Sequence, residues 1–437
     1  MLKMGCAKAD VTPSWPTYIR GYASRNRLTD EIEEPIEVGV IALEQNDVKT
    51  LLITVDSLGI KKPDMLKIYK AIAAETGIDY PNIMISCSHT HFAPNFNGYT
   101  IYTTGGELAL GSYPADTKYF DFWLAKVIAA VKHALADLEE VQLLQADIPV
   151  SSIAFNRRTV RKSDGKVTTN YSYPADPENY DFSDIDTVMH VWKFMRGNAP
   201  KGVLARYGCH PVTGGYNSYG VSADYPGYFK RYTEEKLGCP AFFMLGTAGD
   251  VVPIMRYNES RKDIGEVMSS SIRLAKRTFR DTTDFTLKCA THDLHVKSDM
   301  LKGITAEEID KRWAEETLKA QETSTYSREF YMTGMMYNMF HEFNGSEADL
   351  DIQLIQLGDR VLVGLPFEVL TAIGVGIREV YPDAAVVSCT AGYECYLPVA
   401  SDFPKGGYES ESGTVWAPDT GDNVIAESIK ALKNFKA

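Results

Sequence analysis

The sequence predicts an α/β fold in which layered mixed sheets are flanked by helices. Short runs rich in Val, Ile and Leu alternate with amphipathic helical stretches along most of the 437 residues. Polar, glycine and aromatic residues gather where the apolar runs stop, the place where α/β proteins carry their sites. No internal repeat, low-complexity tract or linker breaks this pattern, so one domain spanning residues 1–437 is expected.

Residues 38–46 and 50–56 have the composition of neighbouring strands joined through a polar turn. Residues 63–75 follow as a helix with Pro63 in its first turn, where a missing N–H costs nothing. NIMIS at 82–86 is a buried strand, and it runs directly into the segment SHTHFAPN. Residues 116–138 carry the longest helical periodicity. A second strand-to-loop unit comes with GVLARYG at 202–208 and the following CHPVTGG. A helix near 226–237 and the strand AFFML at 241–245 lead into the turn GTAGD. Helices are expected at 304–321 and 324–341, then strands DIQLIQLG and VLVGLP, a helix at 368–380 and a strand at 384–388. The chain then enters the irregular stretch TAGYECYLPVASDFPKGGYESESG. Tyr- and Gly-containing segments at 95–115 and 163–187 are expected as long surface loops or lids.

Bulk composition narrows the function classes. Net charge is −13, which opposes binding to phosphate backbones and argues against nucleic acid as a partner. No apolar run approaches the roughly 20 residues of a membrane-spanning helix, so no transmembrane segment is expected. The N-terminal stretch MLKMGCAKADVTPSW lacks the apolar core of a secretory signal, and the expected compartment is the cytoplasm. Seven cysteines in scattered positions, with no CxxC pair, form neither a disulfide framework nor a zinc knuckle.

Eight histidines occur. His133 and His190 sit within helical and strand patterns and are expected to be structural, and His341 ends a helix. His292 and His295 fit the polar face of a strand or turn. His89 and His91 differ, because they share the loop after a buried strand. If that loop is extended, residues two apart point the same way, so the pair either presents two imidazoles to one cavity or fills a turn. His210 ends a second strand in the same manner, and two such loops in one chain point to a shared site. Glu368 in GLPFEVLTAIG reads alone as a first-turn carboxylate of a helix, and in company as a candidate metal ligand.

Taken in order, these segments resemble the neutral/alkaline non-lysosomal ceramidases, specifically their N-terminal catalytic domain. The similarity starts with Asp10, Thr12, Gly21 and Tyr22. HTHFAP resembles the family's HTHSGP, and FNRR at 155–158 resembles its Asn-Arg-Ser-Pro segment. His210, SADYPGY at 222–228, Pro366-Phe367-Glu368, GYECY and Tyr408-Glu409 then follow in the family's order. The resemblance implies a ceramidase-like fold and a Zn²⁺ held by His89, His210, Glu368 and Tyr396. It implies that His91 faces water or substrate, and that Arg157 and Tyr408 position the substrate.

By this resemblance the chain is a zinc-dependent amidohydrolase that splits a small-molecule or lipid-like N-acyl substrate with metal-activated water. Its departures matter. The family's Gly-Asp-Val-Ser-Pro is Gly249-Asp250-Val251-Val252-Pro253, which removes any nucleophilic serine there. HPVTGG replaces the family's His-Gly-Thr, and no immunoglobulin-like C-terminal domain is expected within residues 1–437. Two other functions stay open: a zinc hydrolase of a small soluble or carbohydrate-linked amide or ester, and a catalytically silent ligand-binding homologue. Oligomeric state has no signature in the chain.

Overall fold

The structure is a computed structural model that describes residues 1–22, 25, 27–94, 96, 117–257, 259–323 and 327–437. Three larger sheets form its frame. The first runs in the spatial order Ile83–Cys87, Val48–Val55, Glu37–Gln45, Lys3–Asp10, Glu139–Glu140. The second is ordered Ala241–Leu245, Ala199–Tyr207, Val188–Arg196, Gln142–Pro149, Arg280–Asp281. The third is ordered Cys289–Lys297, Glu347–Leu357, Arg360–Gly364, Ala384–Val387.

One apolar layer joins all three. Leu2, Met4, Ile41, Leu52 and Met84 of the first sheet pack with Trp192, Leu204, Phe242 and Met244 of the second. Ile355, Leu362, Ala385 and Val387 of the third close the same cluster. Alternation along each strand sends the other residues outward, where helices cover them. Helix Thr117–Ala136 lies on the first sheet, Tyr225–Leu237 and Ser260–Leu274 beside the second, and Thr371–Val380 and Thr420–Lys436 against the third. The α/β class and most expected elements are observed. Helix Lys62–Thr76 starts with Pro63 and ends at Gly77, whose φ of 71° returns its N–H to Ala73.

Several elements depart from the expectation. Glu368 does not open a helix: it lies in the short strand Glu368–Val369, and the helix begins at Thr371. A two-residue parallel pairing with Tyr396–Leu397 captured it, a long-range partner that local pattern cannot reveal. The hairpin helices are Ala306–Thr323 and Arg328–Phe343, with residues 324–326 outside the described set. Strand Lys3–Asp10 and helices Ser260–Leu274 and Thr420–Lys436 had no expectation at all. Of the two expected loops, 163–187 contains the short strands Val167–Thr169 and Tyr180–Asp181. The other, 95–115, lies outside the described residues except for Phe96.

What positions the site is the direction of the strands. Each large sheet holds one parallel pair: Val48–Val55 with Ile83–Cys87, Ala199–Tyr207 with Ala241–Leu245, and Arg360–Gly364 with Ala384–Val387. The carboxyl ends of these pairs converge. Ser388 N–H donates to Leu245 O at 2.9 Å, and Gly249 N–H to Val369 O at 2.9 Å, stitching the second sheet to the third. Cys87 N–H donates to Cys389 O at 3.3 Å, stitching the first to the third.

A buried ion network locks the last two sheets together. Asp186 accepts from Arg206 Nη1 at 2.7 Å and from Arg378 Nη1 at 2.9 Å, while Arg206 Nε donates to Val386 O at 2.7 Å. Burial raises the Asp186 carboxyl, but Arg206 and Arg378 overcome it and hold the group well below the usual carboxylate range. Its folded-state affinity for protons is therefore depressed, so its stabilisation is present above the unfolded value near 4 and is lost as pH falls through the folded value. Asp186→Asn leaves the fully buried Arg206 without its counter-charge and should cost about 3–5 kcal/mol at pH 7. Urea titration at pH 7 measures this loss, and a change within 0.5 kcal/mol (about the scatter of neutral surface changes) contradicts the network's role.

Candidate metal centre

His89 stands two residues beyond strand Ile83–Cys87 with φ 66°, a left-handed conformation that non-glycine residues rarely hold. The surroundings impose it: the His89 N–H donates to Ser57 O at 2.8 Å, and ring Nδ1 donates to Leu58 O at 2.7 Å. A carbonyl only accepts, so Nδ1 carries the hydrogen and the Nε2 lone pair is left pointing into the site. His210, three residues past strand Ala199–Tyr207, repeats the device. Its N–H donates to Val251 O at 2.9 Å and its Nδ1 to Ala248 O.

Glu368 and Tyr396 arrive together because they are register partners in the pairing of Glu368–Val369 with Tyr396–Leu397. The Tyr393 hydroxyl donates to Glu368 Oε1 at 2.6 Å and turns the other oxygen to the histidines. Glu368 Oε2 then lies 3.2 Å from His89 Nε2 and 3.1 Å from His210 Nε2. The Tyr396 hydroxyl is 3.4 Å from His210 Nε2, with the two rings nearly parallel.

His91 completes the cluster with Nε2 3.3 Å from His89 Nε2. Its backbone carbonyl accepts from the buried Arg25 guanidinium, and the Tyr22 ring meets its imidazole edge-on at 5.0 Å. Gly21, at φ 120°, lies so close that a Cβ there would sit 2.5 Å from His91 Cβ, which makes glycine obligatory. Unlike its two neighbours, His91 has a buried Nδ1 with no hydrogen-bond partner among the described residues.

The donor chemistry fits a cation. Two Nε2 lone pairs and a carboxylate oxygen, all buried, converge without a hydrogen between them, an arrangement that repels itself unless positive charge sits at its focus. The ligand atoms of His89, His91 and His210 all lie within 4.8 Å of one another. Burial, reinforced by His89 and His210, pushes His91 well below the usual imidazole value, and burial pushes His210 down to about 4. Both are therefore neutral, the form that binds metals, across the physiological range. The carbonyls on the Nδ1 atoms and Tyr393 on Glu368 have the arrangement of an outer layer that would orient metal ligands.

Arg157 and Tyr408 flank this cluster. Arg157 N–H donates to Asp250 O at 2.8 Å, and its Nε donates to Glu409 Oε1 at 2.7 Å. Arg158 Nη1 donates to the other oxygen of Glu409 at 2.9 Å, so one buried carboxylate fixes both arginines. The Arg157 guanidinium lies 5.3 Å from the Tyr396 ring centre and 5.8 Å from that of Tyr408. All seven residues singled out from sequence are thus gathered at one place. Two with direct contacts were given no role from sequence: Tyr393, quoted only within GYECY, and Asp250, which ties Asn156 at 2.8 Å to the start of helix Thr371–Val380 at 2.9 Å. Val252 packs in a small apolar cluster with Phe155 and Val212, leaving no hydroxyl at that position. Above the cluster opens a cavity of about 610 Å³, walled mainly by tyrosines, arginines and the Met-rich helix Arg328–Phe343.

No curated protein matches this sequence. Among solved structures, the fold is similar to that of neutral ceramidase from Pseudomonas aeruginosa, with a TM-score of 0.73 and 17% identity over 99% of this chain and 75% of that chain. It is equally similar to a ceramidase complexed with C2, with a TM-score of 0.73 and 16% identity over the same shares. Likeness at that identity establishes the fold alone. In sequence, the family profile described as neutral/alkaline non-lysosomal ceramidase, N-terminal, matches residues 2–258, well over half of the chain and including both histidine loops. The chain belongs to the neutral/alkaline non-lysosomal ceramidase family.

Proposed function

We propose that this protein is a zinc-dependent amidohydrolase acting on an N-acyl substrate. Membership of the family implies a hydrolase. The observation that carries the finer reading is the convergence of His89 Nε2 and His210 Nε2 on Glu368 Oε2, at 3.2 and 3.1 Å, with Tyr396 beside them. These four side chains would hold the ion, which when bound supplies an acidified water and polarises the scissile carbonyl.

The residues of the chain divide the remaining work. His89 and His210 have their Nδ1 hydrogens committed to backbone carbonyls, so neither ring is free to move a proton. His91 has no such commitment. It is neutral at pH 7, so it takes up the proton of the attacking water and hands it to the leaving nitrogen. Arg157, fixed by Glu409, and Tyr408, whose N–H is held by Thr169 Oγ1 at 2.9 Å, orient the substrate. Residues 1–437 act as one catalytic domain, a reading supported by the apolar layer shared between the three sheets.

Purified protein should carry about one zinc per chain, the load expected of one such site. Stripping the zinc with a chelator should lower the melting temperature and abolish turnover, with recovery on adding zinc back. Protein free of stoichiometric metal, with a melting curve indifferent to chelator, would sink the metal reading. His89→Ala should remove both metal and hydrolysis of N-acyl substrates; turnover at the parent rate refutes the ligand assignment. Tyr393→Phe keeps the ring but frees Glu368 Oε1, and should weaken zinc affinity by about 10–100-fold. Competition with a chromogenic chelator reads this directly, and unchanged affinity removes Tyr393 from the ligand support.

A further inference from the structure

The charge in the cavity runs against the charge of the protein. The chain carries a net −13, yet the side chains facing the 610 Å³ cavity include Arg157, Arg256 and Arg328 and, among the described residues, a single carboxylate, Glu368. Glu368 is turned to the histidines. Arg157 is neutralised within the group formed by Arg158, Glu409 and Asp402. Glu329 lies close enough to Arg328 to feel its charge, but no carboxylate stands at ion-pair distance from Arg256 or Arg328 among the described residues. Arg256 spends its donors on neutral oxygens, with Nε to Val212 O at 3.0 Å, Nη2 to the Tyr22 hydroxyl at 3.0 Å and Nη1 to Tyr171 O. Arg328 Nη2 donates to Glu411 O at 2.5 Å.

The lining also mixes charge with apolar surface. Arg256 reaches the Tyr171 carbonyl, and the Tyr171 ring lies 6.1 Å from that of Tyr408. Arg328 shares one helix with Tyr331 and Met335, three and seven residues on, and Leu58 adds a further apolar side chain to the lining. Two guanidiniums held in place by neutral acceptors, Arg256 half-buried and Arg328 exposed, favour an anion by charge-assisted hydrogen bonds.

We propose that the substrate of this site is an N-acyl compound bearing an acidic group, a carboxylate or a phosphate, received by Arg256 and Arg328, with its apolar portion against Leu58, Tyr331 and Met335. This rests on the amidohydrolase reading above and narrows its substrate class from neutral N-acyl compounds to acidic ones.

Two matched pairs test it on the zinc-loaded protein. N-octanoylglycine is compared with N-octanoylglycinamide, and the phosphate ester of N-octanoylethanolamine with N-octanoylethanolamine. The acid of at least one pair should exceed its neutral match in kcat/KM by about 10–150-fold, the worth of one charge-assisted contact; the better pair tells carboxylate from phosphate. Arg256→Gln and Arg328→Gln should each reduce that ratio by about tenfold, and raised salt should reduce it in the parent. Arg256 also braces two backbone carbonyls, so the exposed Arg328 supplies the variant that keeps the fold. Neutral compounds turned over as well as their acids, or ratios untouched by both variants, overturn the proposal. Turnover of none of the four refutes the amidohydrolase reading instead. Calorimetric titration of the same four compounds then decides the anion preference alone: tighter binding of an acid upholds it, and equal binding overturns it.

Discussion

Two imidazole nitrogens are held 3.2 and 3.1 Å from one buried carboxylate oxygen, and much of the surrounding structure serves to keep them there. Left alone, such acceptors would swing apart or take up protons. They do neither because each is fixed from behind: Leu58 O on His89, Ala248 O on His210, and the Tyr393 hydroxyl on Glu368. The charge missing from the focus is what a divalent cation supplies, and the fixing groups are the outer layer that such an ion needs.

That fixation is expensive in backbone terms, and the cost is localised. His89, Cys389, Ala391 and Cys395 all adopt positive φ values between 55° and 66° at or near the site. Residues of this kind persist only where the surroundings over-determine them. Here the over-determination comes from three parallel strand pairs whose carboxyl ends meet, stitched by Cys87 to Cys389, Ser388 to Leu245 and Gly249 to Val369. The shared apolar layer of Met4, Leu52, Trp192, Phe242 and Ile355 fixes the three sheets as a rigid base beneath those ends. The buried Asp186–Arg206–Arg378 network does the same from the side of the third sheet.

Legibility in the sequence followed the range of the interactions. Helix Lys62–Thr76 and strand Ile83–Cys87 were readable because periodicity and a first-turn proline are local signals. Lys3–Asp10 was not, since its pattern of half-buried positions makes sense only once Glu37–Gln45 and Glu139–Glu140 flank it. Glu368 was expected as a ligand through resemblance, although its local setting was read as a helix start; the strand pairing that delivers it comes from Tyr396, 28 residues further along the chain. Tyr393 was quoted with its loop but given no role, because a hydrogen bond across 25 residues leaves no spacing signal.

By itself the sequence determined the α/β class and the family, and HTHFAP, His210, Glu368 and Tyr396, standing in the family's order, marked the candidate site. Composition also set the acidic surface against which the cavity's arginines stand out. The resemblance had set His91 apart from His89 and His210, but only the tertiary structure supplied a physical difference, which is whether a distant carbonyl lies on Nδ1. The tertiary structure alone left Arg256 and Arg328 with no carboxylate at ion-pair distance among the described residues. Ion pairing is a matter of distances across the fold, and a count of charges along the chain carries no such distances.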